Sequence, residues 1–178
     1  MLLSMPPDMS DNEERRIEEW YCFLTLAHGD LIQARDSLKA ACSPEHRALS
    51  AALARDAVIC YARPFSKRKG EKASYELKGR WIPAAKRELH SDLIRIRKGF
   101  IAHTDLRERK PRAARWHGAG NEGLAPLVAG FSVSTDAILR DASTIIELIE
   151  AVAKDVLEEM IRIEKEPPFG GSMVRRPV

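Results

Sequence analysis

The sequence has little of several features that define protein classes. Its three cysteines, Cys22, Cys42 and Cys60, form no CxxC motif, which argues against a disulfide scaffold or a cysteine-based zinc site. No uninterrupted run of about 18 apolar residues is present, so no membrane span is predicted. The N-terminus lacks the basic region and the apolar core of a signal peptide, and we expect a protein of the reducing cytoplasm.

What is present is typical of one folded domain. The 178 residues are 44% hydrophobic and 31% charged, which excludes collagen-like, low-complexity and wholly disordered chains. We expect a single domain over residues 1–166, followed by a disordered tail over residues 167–178 that is rich in glycine, arginine and proline.

The net charge of +3 conceals an uneven distribution of charge along the chain. Residues 65–117 contain sixteen basic and six acidic side chains, a net charge of +10, and the rest of the chain has a net charge of −7. A basic middle segment indicates an anionic partner, of which nucleic acid is the commonest. The alternative is that the acidic flanks pack beside the basic segment and neutralise it.

Helical periodicity dominates the chain, and start and stop signals divide it. Ser10 and Glu13 form a Ser-x-x-Glu capping box, which predicts a first helix that begins near Ser10. Gly29-Asp30 predicts a break, after which a shorter helix follows. Ser43-Pro44-Glu45 predicts a restart, and Pro64 is expected to end that helix by forcing the preceding residue out of the helical region. The inward-facing residues of this helix are expected to be Leu49, Leu53, Ala57, Cys60 and Tyr61.

The last helix has the strongest apolar pattern, which begins after Ser134 or Thr135 and ends before Pro167-Pro168. Residues 106–133 before it are irregular, with a short strand expected at Leu127–Val133. The patterns together predict an all-α fold, an antiparallel bundle of four to five helices with an irregular excursion over about residues 106–133. The apolar positions of the last helix are Ile138, Ala142, Ile145, Ile149, Val152, Val156, Met160 and Ile163.

The motifs of metal, nucleotide and nucleophile chemistry are missing from the sequence. The five histidines are scattered, with no HExxH motif and no Glu-x-x-His pair, and there is no P-loop, GxGxxG or GxSxG. We therefore expect neither a metal nor a cofactor.

The segment that follows Pro83 carries the one unusual pattern. Its apolar positions, Leu89, Leu93, Ile96 and Phe100, recur at steps of four and three, and the next step reaches His103. Gly99 interrupts the same helix at a cost of about 0.8–1 kcal/mol relative to alanine. The plain interpretation is a half-buried His103 bonded to a backbone carbonyl, with Gly99 allowing a close helix contact.

The run Arg97-Lys-Gly-Phe-Ile-Ala-His103 has the form R-x5-H and continues as Thr104-Asp105. It resembles the Arg-Asn-Lys-x-x-Ala-His signature of the HEPN superfamily. This resemblance implies a small all-α domain of four or five helices that forms a homodimer. Many members are metal-independent endoribonucleases, often toxins or phage-defence effectors, and others are non-catalytic.

The resemblance implies catalytic roles for Arg97 and His103. Six residues along a helix separate two side chains by about 9 Å and about 120°, so one helix alone would hold them poorly around one phosphate. A two-fold dimer would bring both pairs into one groove. There Arg97 would bind the scissile phosphate, and His103 would move a proton from the 2′ hydroxyl or to the departing 5′ oxygen.

The sequence departs from the signature at two positions and leaves two hypotheses open. Lys98 stands where active members have Asn, Asp or His, and Gly99 stands at the usual lysine. The first hypothesis is a homodimeric ribonuclease acting on RNA. The second is a non-catalytic helical dimer that binds RNA, a nucleotide or a protein partner such as a nucleotidyltransferase antitoxin.

Basic residues around the motif, with one tryptophan, suit phosphate contacts and base stacking on single-stranded RNA. A solvated basic loop is the alternative for them and for a second cluster at residues 67–72. Tyr61 is expected to pack in the core rather than to serve a site. The candidate RNA-binding residues are Arg95, Lys98, Arg107, Arg109, Lys110, Arg112, Arg115 and Trp116.

Overall fold

A computed structural model describes residues 11–102, 112–118, 121–127 and 133–165. Most of these residues are helical, which confirms the predicted all-α class. Within the described ranges, no helix has both the length and the apolar character needed to cross a membrane. The expected tail at 167–178 and part of the 106–133 excursion lie outside these ranges. The α-helices are α1 (Asp11–Ala41), α2 (Ser50–Ala62), α3 (Arg87–Ile96), α4 (Val133–Arg140) and α5 (Ala142–Lys165).

Short helical turns and two hairpins join these helices. A small antiparallel hairpin pairs β1 (Arg68–Lys69) with β2 (Ser74–Tyr75). A longer one pairs β3 (Arg112–Gly118) with β4 (Asn121–Leu127), in the register Arg112↔Leu127. Further 3-10 turns occur at Pro44–Leu49, Gly79–Trp81 and Ala84–Lys86, and a π-helical turn occurs at Arg97–Ala102.

The second hairpin corrects the expectation of an irregular segment at 106–133. The strand expected at Leu127–Val133 was placed too late in the chain. The observed strand β4 ends at Leu127, and Val133 is the first residue of α4. The signal for the true hairpin is Gly118-Ala119-Gly120-Asn121, because glycine and asparagine favour the tight connections that join antiparallel strands.

Helix α1 runs without a break through Gly29, so the predicted break at Gly29-Asp30 is wrong. One apolar seam continues on both sides of the glycine, and every member of it is buried. Burying one leucine contributes about 1.5–3 kcal/mol, which exceeds the penalty of about 1 kcal/mol for a helical glycine. The seam consists of Leu24, Ala27, Leu31, Ala34, Leu38 and Ala41.

Polar pairs show that α1 runs antiparallel to both α2 and α5. A residue near the C-terminal end of α1 contacts the middle of α2, and a residue earlier in α1 contacts the residue that follows α2. Along α5 the order of contacts is likewise opposite to that along α1. The pairs are Ser37–Asp56 at 2.7 Å, Asp30–Arg63 at 2.9 Å, Lys39–Glu150 at 2.9 Å, and the hydrogen bond that Tyr21 donates to Glu164.

The helix expected to start at Pro44 is divided in two. Residues Pro44–Leu49 form a 3-10 turn with His46 outside helical geometry, and Leu49 is 57% exposed rather than inward-facing. Leu53 is partly buried, and Ala57, Cys60 and Tyr61 are buried as predicted.

Helix α2 ends where it was predicted to end, but the backbone of the residue before Pro64 does not have the predicted conformation. The helix ends at Ala62, yet Arg63 keeps helical dihedral angles (φ −60°, ψ −48°), and its N–H donates to Cys60 O. The expectation that Pro64 forces Arg63 out of the helical region is therefore wrong. A proline disfavours helical geometry in the preceding residue but does not forbid it.

The last helix is as buried as its pattern predicted, but a turn at Asp141 divides it into α4 and α5. Helical hydrogen bonds continue across this point, because Asp141 N donates to Ala137 O and Ile145 N donates to Asp141 O. Met160 is partly buried and packs against the core. The buried positions that were predicted are Ile138, Ala142, Ile145, Ile149, Val152, Val156 and Ile163.

Candidate functional site

The C-terminal end of α3 carries the predicted motif arginine. The predicted apolar stripe is present, with Leu93 buried and Leu89 and Ile96 packed against the core. Directly after Ile96 the helix widens into the π-helical turn Arg97–Ala102. Such turns are uncommon inside α-helices and occur frequently at functional sites.

Three predicted residues at this helix end stand on or near the surface. Arg95 and Lys98 are exposed, and Arg97 is half-buried. Arg95 forms an ion pair with Asp92 at 3.2 Å on the exposed side of the helix. Gly99, one residue beyond Lys98, is buried, whereas Arg95 and Lys98 are exposed. The end of α3 therefore presents cationic side chains to solvent.

The remaining predicted site residues are not gathered at this helix end by the described structure. His103 follows Ala102, the last residue of the π-helical turn, and lies outside the described residues, as do Arg107, Arg109 and Lys110. The structure places Arg112, Arg115 and Trp116 in strand β3.

Tyr61 is 1% exposed, which confirms the expectation of a core residue. Its hydroxyl forms a hydrogen bond of 2.8 Å with Nδ1 of His90. The Phe65 ring packs edge-on against the same imidazole, with 4.6 Å between the two ring centroids. Burial lowers the pKa of His90 and raises the pKa of Tyr61. A protonated hydroxyl can thus donate to the unprotonated Nδ1 of a neutral imidazole. No local pattern in the sequence points to His90, because its partner Tyr61 is 29 positions away in the chain.

The second basic cluster, at residues 67–72, lies on the β1–β2 hairpin, and Glu19 of α1 holds this hairpin. The Glu19 carboxylate accepts hydrogen bonds from the backbone N–H groups of Glu71 and Lys72, both at 3.1 Å. It also accepts one from the Tyr75 hydroxyl at 2.9 Å. Desolvation raises the pKa of Glu19, but these hydrogen bonds favour the charged form and hold the pKa below its usual value.

Beside this hairpin lies a groove of about 470 Å³ that combines aromatic and basic side chains. The Trp20 ring centroid is 5.9 Å from that of Tyr75 and 6.4 Å from that of Trp81. The Arg80 guanidinium lies over the Trp81 ring, 5.3 Å from its centroid. We call this the aromatic groove, and its lining residues are Trp20, Lys67, Ser74, Tyr75, Glu76, Lys78, Arg80 and Trp81.

A larger groove of about 930 Å³ lies between α1 and the same hairpin. Its apolar part includes Phe23 and the 72%-exposed Leu26. Among the described residues that line this groove, four basic side chains face four acidic ones. The lining therefore has no net charge that would attract an anion. The charged side chains are Arg15, Arg63, Arg68 and Lys69 against Glu18, Glu19, Asp30 and Glu71.

Within the described part of the chain, no three His, Cys, Asp or Glu side chains cluster in a way that could hold a metal ion. Comparison with known proteins found no matching family model, no matching curated protein and no matching solved structure.

Proposed function

We propose that this protein is a HEPN-like, metal-independent endoribonuclease of the toxin or phage-defence type that acts as a homodimer. The main support for the proposal is the arrangement at the end of α3. Arg97 begins a π-helical turn whose last residue, Ala102, directly precedes His103 in the sequence. Arg95 and Lys98 are exposed beside Arg97. His103 is the one histidine that the apolar pattern singles out.

The reaction needs a base, an acid and a cation around one phosphodiester. The 2′ oxygen of the RNA attacks phosphorus while an imidazole takes its proton, and the bond from phosphorus to the 5′ oxygen breaks. A second imidazole, in its protonated form, gives a proton to the departing 5′ oxygen. The products are a 2′,3′-cyclic phosphate and a 5′ hydroxyl, and no redox partner or water molecule is consumed.

The homodimer supplies both imidazoles. His103 of one copy would act as the base and His103 of the second copy as the acid, a division that a histidine with a pKa near neutrality can support. Arg97 would bind the phosphate oxygens through its two-pronged guanidinium and stabilise the charge that builds up on them in the transition state. The requirement for a 2′ hydroxyl would confine cleavage to RNA.

Lys98 favours a second candidate function, a non-catalytic dimer that binds RNA, a nucleotide or a nucleotidyltransferase antitoxin. It is exposed and stands where active members of the superfamily have Asn, Asp or His. In the nuclease its ammonium group would bind a neighbouring phosphate. In the non-catalytic protein it would take part in binding alone.

The two functions are separated by incubating purified protein with RNA in EDTA. The parent is compared with His103→Ala, Arg97→Ala and the control Arg55→Ala, which removes an exposed cation from α2. We expect the parent and the control to cleave the RNA, and the His103 and Arg97 variants to lose about 10²-fold or more in rate. Lys98→Asn, which restores the signature at that position, should cleave at least as fast as the parent.

Sharing of the groove between two copies is tested by mixing the parent with an excess of His103→Ala. A heterodimer retains only one of the two imidazoles, so exchange of subunits should suppress the cleavage by the parent, whereas sites confined to single copies would leave that cleavage unchanged. Equal background cleavage by all variants would contradict the nuclease. Salt-sensitive RNA binding without cleavage would establish the non-catalytic function instead.

A further inference from the structure

We infer that the aromatic groove is a second binding surface, one that takes a short stretch of single-stranded RNA. Its bases stack on the Arg80–Trp81 pair and its phosphates contact Lys67 and Lys78. The inference depends on the proposed function only for the choice of RNA as the nucleic acid. It concerns residues at the junction of α1 and the first hairpin rather than the motif at the end of α3.

The stacking platform is Arg80 on Trp81. Trp81 is only 7% exposed, so its ring is the floor of the groove rather than a free face. The exposed Arg80 covers that ring at 5.3 Å, a separation at which a guanidinium is attracted to an indole. A planar guanidinium held on an aromatic ring offers a flat surface on which a base can stack, and such stacking tolerates any base.

The cations of the groove are available for phosphates. Lys67 and Lys78 are both exposed. The ammonium group of neither lysine forms a hydrogen bond or an ion pair with a residue that the structure describes, and the Lys78 carbonyl accepts a backbone hydrogen bond from Trp81 N at 3.0 Å. Of the described residues that line the groove, Glu76 is the one acidic residue, against three basic ones. The groove therefore has an excess of positive charge, whereas the charges of the larger groove along α1 balance.

The groove is also held in place before any ligand binds. Tyr75 is one wall, and its hydroxyl is anchored to Glu19, which also binds the backbone of the neighbouring turn. Trp20 lies one residue along α1 from that anchor and contacts both Tyr75 and Trp81. A volume of about 470 Å³ is within the range of sites that bury a small ligand, such as one nucleotide of a longer strand. Preorganisation of this kind reduces the entropy lost on binding.

The test measures binding of a short fluorescein-labelled oligouridylate by anisotropy, in EDTA and in the His103→Ala background, so that the probe is not cut. Lys67→Ala/Lys78→Ala removes two phosphate contacts, and we expect the slope of log K against log[salt] to fall by about 1.4, or about 0.7 per contact. Arg80→Lys keeps the positive charge but removes the planar guanidinium on which a base would stack. It should weaken binding about fivefold or more and leave the salt slope unchanged.

Three controls make the result specific. Arg55→Ala also removes an exposed cation but does not line the groove, so it should bind as its parent does. A duplex version of the probe should bind more weakly than the single strand, because its bases are not free to stack. In a Trp116→Phe background, the fluorescence of Trp20 and Trp81 should fall as the probe binds.

The outcomes distinguish failure of the inference from failure of the nuclease. Groove variants that bind and cleave as the parent does would overturn the inference and leave the nuclease intact. Groove variants that lose binding while the His103-intact parent fails to cleave would support the inference and reject the nuclease. A duplex that binds as tightly as the single strand, unchanged affinity in Arg80→Lys, or no binding of the probe by the parent would each overturn the inference.

Discussion

A Cβ atom at Gly70 would stand 2.5 Å from Oε2 of Glu19, closer than two such atoms can approach. The same Cβ would also meet the ring of Tyr75 at 2.8 Å. The turn between β1 and β2 is thus pressed against the carboxylate that binds its backbone N–H groups, and only glycine leaves room for it. This contact joins the basic hairpin to α1, and through Tyr75 it fixes one wall of the aromatic groove.

Gly70→Ala should release the hairpin from α1. The flexible Glu19 side chain would move away from the new methyl group, and its hydrogen bonds to the Glu71 and Lys72 amides would be lost. We expect faster amide hydrogen exchange at these two residues, measured by NMR, together with weaker oligouridylate binding. The matched control is Gly79→Ala, because a Cβ at Gly79 meets nothing within 4 Å. Unchanged exchange in Gly70→Ala would contradict the anchoring role of Glu19.

Gly29→Ala should stabilise the protein. Gly29 is exposed in the middle of α1, a methyl group at this position would meet nothing within 4 Å, and the glycine carries the penalty of a helix interior. We expect the free energy of unfolding to rise by about 0.4–1 kcal/mol, which corresponds to about 1–4 °C in Tm for a chain of this size. Urea and thermal unfolding measure it, and a loss of stability would show that α1 needs the glycine.

Leu31→Ala should be strongly destabilising, since Leu31 is fully buried at the centre of the α1 seam. Removal of a buried leucine side chain leaves a cavity and costs about 2–5 kcal/mol. Leu26→Ala, five residues earlier on the same helix, is the control, because its side chain is largely exposed and the change should stay within about 0.5 kcal/mol. Equal effects in urea unfolding would contradict the assignment of the buried face.

Acid should destabilise the Tyr61–His90 pair. Burial holds the pKa of His90 below 6.5, the ordinary value that it regains on unfolding. Between these two pKa values the unfolded chain binds more protons than the folded one, so stability is full above pH 6.5 and is lost as the pH falls below it. The double variant Tyr61→Phe/His90→Leu removes the titrating group together with its buried partner. Its Tm should fall less steeply than that of the parent between pH 7 and 5, and parallel curves would contradict the assignment.

Sequence patterns predicted most of the helices but not all of their boundaries. The seam of the last helix depends on local periodicity and was predicted correctly, whereas the capping box at Ser10 lies outside the described residues. The break at Gly29 was wrong because a local penalty of about 1 kcal/mol is smaller than the packing of α1 against α2 and α5. The inward position of Leu49 was wrong because the 3-10 turn at Pro44–Leu49 carries it out of the apolar face of α2.

The candidate surfaces were predicted in part. Arg97 stands out in the sequence only through the R-x5-H form that it makes with His103, the residue that interrupts the apolar stripe, and the catalytic role of Arg97 stays a prediction. The aromatic groove was missed, since Trp20 reads as one more member of an apolar stripe and Lys67 and Lys78 read as loop residues. Nothing local distinguishes a tryptophan that lines a groove from one that only fills the core.

The sequence by itself determined the helical class, the apolar faces and the basic middle segment, because periodicity, capping and charge act between residues close together in the chain. The tertiary structure alone decided that Glu19 meets the turn at Gly70, that Tyr61 meets His90, and that Trp20, Tyr75 and Trp81 line one groove. These contacts join residues 29 to 61 positions apart. They form only when α1 packs against the first hairpin and α2 packs against α3, and no local pattern encodes that packing.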